Sequence, residues 1–192
     1  MQSNYLSYLE SVSKKFSEEN GIFDIVFYGS ALKENSFAHD VDILLLFENE
    51  PLKKRVDAAN EFKRIIEKKI EKLDIKTANL NELFEKIFLA RQGIFIEGYS
   101  LVYKKNFIER LGFKGYALFS YNLKNLNNSK KTRFTYALIG RNSEGMAKKT
   151  KAKSIGKGAV MVPIEKSLEF EDFLKSWEIN YEKKEMLLAK YD

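Results

Sequence analysis

Residues 26–47 read VFYGSALKENSFAHDVDILLLF, and this stretch decides how the rest of the chain is read. An apolar run, Val26-Phe27-Tyr28, ends in Gly29-Ser30. After nine intervening residues comes Asp40-Val41-Asp42, which leads straight into Ile43–Phe47. Five apolar residues in a row after a carboxylate pair predict a buried strand. Side chains two apart on a strand share a face, so Asp40 and Asp42 are expected side by side at its start. Two carboxylates that close repel unless a cation lies between them. A hard divalent ion with oxygen ligands, Mg²⁺ above all, meets that need. Gly29 lets backbone approach a ligand closely, and a helix starting at Ser30 would offer free N–H groups to a phosphate. A phosphate cradle beside metal-binding carboxylates points to a nucleoside triphosphate with Mg²⁺.

On these residues the chain resembles the nucleotidyltransferases of the DNA polymerase beta superfamily. That family places Gly-Ser or Gly-Gly after one apolar strand and Asp-x-Asp at the head of the next. The likeness covers about residues 20–105. It departs from the common pattern at His39, where many members have Ser. The resemblance implies a third carboxylate on a later strand, and Asp74 in Leu73-Asp74-Ile75-Lys76 matches it. It also implies the roles: Asp40, Asp42 and Asp74 as catalytic and metal-holding residues for two Mg²⁺ ions, and Gly29 and Ser30 as the nucleotide grip. The implied fold is α/β in the broad α+β sense, a small mixed sheet flanked by helices. Lys33, His39 and Arg91 read as loop or exposed side chains.

Outward from this stretch, residues 4–19 and 52–71 carry apolar residues at steps of three and four, which predicts amphipathic helices. In the second these are Leu52, Val56, Ala59, Phe62, Ile66 and Ile70. A third strand is expected over 73–80, a short helix over 81–88, and a fourth extended segment over 93–103. A boundary near 104–115 separates a nucleotidyltransferase domain, 1–110, from a C-terminal α+β extension, 111–192. In the extension, 115–126 fits helix or strand, 132–138 a strand, 141–157 loops or a lysine-studded hairpin, and 159–164 a strand. Short helices are expected over 170–176 and 182–190.

The net charge is +6, with no Cys and a single His. This excludes disulfides, a thiol nucleophile and any Cys- or His-rich metal site. The charge is local. Residues 129–157 carry Lys130, Lys131, Arg133, Arg141, Lys148, Lys149, Lys151, Lys153 and Lys157 against Glu144 alone, a net of +8, so the remainder is −2. Such a segment suits a polyanion, so these residues are candidate nucleic-acid contacts. Phe113, Tyr116, Phe119, Tyr121, Phe134 and Tyr136 lie beside it; most of them are expected in the core. No apolar run spans a membrane and no leader pattern opens the chain, so a cytoplasmic protein is expected.

The resulting expectation is an enzyme. It would move a nucleoside monophosphate from an NTP (ATP among them) to an acceptor hydroxyl, on an RNA end in the first instance. A protein partner as acceptor, as in antitoxin-type members, and a non-catalytic nucleic-acid-binding protein are the alternatives.

Overall fold

The computed structural model describes residues 2–33 and 40–189, with side chains from Tyr5 onward and Lys33 excepted. The chain is mixed α+β and divides into two compact units, Met1–Leu111 and Gly112–Asp192.

The first unit is built on a mixed five-stranded sheet, in the order β3-β2-β1-β4-β5. β1 (Asp24–Tyr28) and β2 (Val41–Phe47) are antiparallel neighbours. β3 (Leu73–Asn79) runs parallel to β2, because α3 (Leu52–Ile66) carries the chain back before it pairs. A parallel pair needs a crossover of this kind. β4 (Tyr99–Ser100) and β5 (Lys105–Asn106) close the other edge.

Period-two alternation splits β2 between two cores. Val41, Ile43, Leu45 and Phe47 join α1 (Gln2–Asn20) and α3 through Leu9, Phe16, Phe62 and Ile66. Leu44 and Leu46 face the other way, with Val26, Tyr28, Ala78, Leu83, Ile94 and Phe107. Burial on both faces explains the unbroken apolar run.

Three expectations for this unit need correction. The segment expected to be extended over 93–103 begins inside a helix, α5 (Arg91–Glu97), and is strand only at β4. The expected helix over 81–88 is the shorter α4 (Leu80–Phe84). The buried face of α3 is Arg55, Ala58, Ala59, Phe62 and Ile66, while Leu52 and Val56 are exposed and the helix stops five residues early. Arg55 points inward because Glu82 receives it. Both its terminal nitrogens donate to the Glu82 carboxylate, Nη2 to Oε1 at 2.7 Å. Glu82 also caps α4, accepting from the Asn79 backbone N–H while the Asn79 side chain accepts from Glu82 N–H. This reciprocal pair is a capping box.

A buried acid, Asp24, ties β1 to the end of the unit. Its carboxylate accepts from Ile25 N–H, Ser100 Oγ and Arg110 Nη1 at 2.7–2.8 Å. Arg110 lies over the Tyr103 and Phe23 rings. Burial still holds the Asp24 carboxyl above its ordinary pKa, the Ser100 and Arg110 contacts opposing.

The second unit is a four-stranded antiparallel sheet, β7-β8-β6-β9. Its strands are β6 (Phe113–Tyr121), β7 (Lys153–Gly156), β8 (Ala159–Pro163) and β9 (Tyr181–Ala189). Its helices are α6 (Asn128–Ile139), the single turn α7 (Met146–Lys149) and α8 (Ser167–Ser176). Of 141–157, expected as loops or a lysine-studded hairpin, 146–149 is the helical turn α7 and 153–156 is β7, which pairs with the expected strand β8. Two expectations exchange: 132–138 is helix, not strand, and of the helix expected over 182–190 the described residues, to 189, are strand. The Asn127 side chain caps α6 by accepting from Lys130 N–H, and Gly140 at φ 87° ends it. Phe134 turns inward from α6 and meets Tyr121, Phe173 and Trp177 at 5.5–5.7 Å between ring centres. Among the described residues no helix is long and apolar enough to cross a membrane.

Glu82→Ala leaves a nearly inaccessible guanidinium without its carboxylate and removes a cap. It is expected to cost about 2–4 kcal/mol of unfolding free energy by urea titration, and Glu82→Gln clearly less.

Candidate active site

The site follows from register. Tyr28 pairs with Asp42 across β1 and β2, and Asp42 pairs with Asp74 across β2 and β3. Three strands thus present Tyr28, Asp42 and Asp74 in one row. The same alternation sends Val26, Leu44 and Ala78 of these strands to one core, so the row shares their sheet face. Asp40, two residues before Asp42, is exposed just ahead of β2. Neighbouring strands lie only about 4.8 Å apart, which brings the Asp42 and Asp74 carboxylates close.

The electrostatics carry that crowding. Burial pushes the Asp42 carboxyl above its ordinary pKa, and Asp74 pushes it further; Lys76 opposes and Asp40 adds to the rise. Lys76 lies two residues after Asp74, and its Nζ is 3.1 Å from Asp74 Oδ2. Its hydrogen bond to Asp74, then the nearby Tyr28 hydroxyl, raise the ammonium's pKa. Tyr28 is 6% exposed. Its hydroxyl is buried and makes no hydrogen bond of normal geometry among the described residues. Burial raises its pKa; the Lys76 ammonium works against that and the two carboxylates with it.

Gly29 holds the row open. Its φ is +88°, and a Cβ there would stand 2.2 Å from Asp42 Oδ2. Only glycine combines that backbone with that approach. Ser30, exposed, begins α2 (Ser30–Lys33) directly after it.

Asp42, Asp74, Gly29 and Ser30 thus stand at the ends of adjacent strands, and Asp40 flanks them. Among the described residues no three His, Cys, Asp or Glu side chains form a ready cluster for an ion. The donor chemistry nevertheless fits Mg²⁺: carboxylates only, mutually repelling, beside a buried hydroxyl that makes no hydrogen bond of normal geometry among the described residues. His39 and the Lys33 side chain lie outside the described residues. Arg91 donates to the Phe84 carbonyl at 2.7 Å. The sequence reading missed Tyr28 and Lys76. Both were findable by alternation, since Lys76 shares a face with Asp74 and Tyr28 immediately precedes the glycine.

The basic residues belong to the second unit and are spread over its elements. Lys130, Lys131 and Arg133 are on α6, Arg141 follows it, Lys148 and Lys149 are on α7, Lys151 follows that, and Lys153 is on β7. All but the half-buried Lys131 are exposed. Lys149 pairs with Glu169 at 2.6 Å, and Lys148 with Glu144 at 3.7 Å. Arg141 lies over the Tyr136 ring. Of the neighbouring aromatics, Phe119 and Phe134 are core, while Phe113 and Tyr136 are exposed.

A scan against protein-family models finds no match to the chain, and a search of curated proteins finds no significant one.

Gly29→Ala forces a left-handed Ala against a carboxylate. It is expected to destabilise the fold by about 1–3 kcal/mol in denaturant unfolding. Asp42→Asn is expected to do the opposite in metal-free protein. A raised carboxyl pKa means that stability is lost as pH climbs from the ordinary 3.8 through the folded-state value. The variant should therefore melt above wild type at pH 7, and calorimetry should show the gap closing toward pH 4 and below.

Proposed function

We propose that the chain is a Mg²⁺-dependent nucleotidyltransferase that moves a nucleoside monophosphate from an NTP to an acceptor hydroxyl. The observation that carries this is the row Tyr28–Asp42–Asp74 beside Gly29-Ser30 on three adjacent strands. The resemblance of residues 20–105 to the DNA polymerase beta superfamily supports it. Asp40 and Asp42 hold Mg²⁺, and Asp74 is the carboxylate through which a second ion would be held. When bound, the metal neutralises charge on the attacking and leaving oxygens. Gly29 and Ser30 receive the β- and γ-phosphates. The acceptor oxygen bonds to the α-phosphorus as the bond to the bridging oxygen breaks, and pyrophosphate leaves. Asp74, half exposed at the row's outer edge, orients the acceptor hydroxyl and takes its proton.

The acceptor we favour is an RNA end. Lys130, Arg133, Arg141, Lys151 and Lys153 are exposed cations on one compact unit that can meet phosphates.

The test is incubation with Mg²⁺ and each α-labelled NTP, with total RNA, single-stranded DNA or lysate protein as acceptor. Label on RNA is expected, and Asp42→Asn should reduce it at least ~100-fold. Label on a protein band would identify a protein acceptor instead. No incorporation with any nucleotide and acceptor would overturn the enzyme reading.

A further inference from the structure

Asp42 and Asp74 face each other across a parallel ladder, so the row needs positive charge beside Asp74. The chain carries one there. Lys76 is rooted on the same strand, two residues on and therefore on the same face, and its ammonium lies 3.1 Å from Asp74 Oδ2. A tethered cation is present at high effective concentration whatever the metal supply. A divalent ion at Asp74 would have to displace it or sit against it, and like charges a few ångströms apart in a half-buried site repel strongly.

The Tyr28 hydroxyl adds an independent sign that this row awaits a ligand. It is more than nine-tenths buried, its oxygen makes no hydrogen bond of normal geometry among the described residues, and it interacts with Lys76, Asp42 and Asp74. An ammonium has no acceptor, so Lys76 can only donate to the tyrosine oxygen. The phenolic proton then remains for an oxygen that none of the described residues supplies, such as a phosphate oxygen.

We propose that Lys76 is a built-in cation that takes the place of the second divalent ion beside Asp74. The site then loads a single divalent ion per chain, and Tyr28 donates its hydroxyl proton to a substrate oxygen. This rests on the nucleotidyl-transfer reading and replaces its second ion by a side chain.

The test counts ions rather than products. Mn²⁺ is titrated into the full chain, and bound ion is followed by electron paramagnetic resonance. Wild type is expected to bind one Mn²⁺, and Asp42→Asn to lose it. Lys76→Met, which keeps the length and removes the charge, is expected to bind a second ion roughly tenfold or more tighter than wild type does. Lys76→Arg should again bind one. Circular dichroism on each variant confirms that it is folded. Two ions of similar affinity in wild type, or only one in Lys76→Met, would overturn the proposal while leaving the enzyme reading intact. Absence of any saturable Mn²⁺ binding in wild type would remove the nucleotidyl-transfer reading itself, and this proposal with it.

Discussion

Two carboxylates placed opposite one another across a parallel ladder set the terms for the first unit. Backbone hydrogen bonding fixes the distance between β2 and β3, so Asp42 and Asp74 cannot separate without breaking the sheet. Everything around them manages the resulting charge. Lys76 supplies a compensating ammonium, and Gly29 keeps a side chain out of the space that the Asp42 carboxylate occupies. The two apolar cores on either side of β2 hold the strands rigidly enough to maintain the arrangement. Such local conflict is typical of functional sites.

The first unit was largely legible in sequence because its signals are local and strong. Ile43–Phe47 is apolar on both faces, so β2 could be placed without knowing its neighbours. β1 and β3 followed from their own patterns. The inward face of α3 was not legible, because Arg55 is buried only through Glu82, 27 residues away. α5 was misjudged because Gly93-Ile94-Phe95-Ile96 has strand-like composition, yet Ile94 belongs to a core against Val26 and Phe107. Within the candidate site, Gly29, Ser30 and Asp42 follow from motif and spacing, and Asp74 from the family resemblance. Tyr28 and Lys76 were within reach of the same alternation, and the register shows that they flank the two acids.

The second unit resisted the same treatment for a clear reason. The stretch 182–189 is rich in good helix formers, but β9, which contains it, makes nine consecutive pairings with β6 that override that preference. Residues 132–138 contain Thr, Phe and Tyr, which favour strands, but the Asn127 cap and the terminal Gly140 enclose a helix whose Phe134 completes an aromatic core. The basic segment reads differently once placed. Its charges are distributed over two helices, a turn and a hairpin, and Lys149 pairs with Glu169, a residue outside the segment. Charge counted along the chain therefore overstates what is free to meet a polyanion.

The pairing of β6 with β9 also bears on how the protein is made. These strands join Phe113 to Ala189 at one end and Tyr121 to Tyr181 at the other, so β6 must wait for about sixty further residues before this partner exists. Every strand of the first unit precedes Phe107. During synthesis the first unit can close its sheet while β6, with Phe119 still uncovered on one side, remains an open edge able to pair wrongly. A nascent chain arrested before residue 181 should therefore be the form that most needs a chaperone.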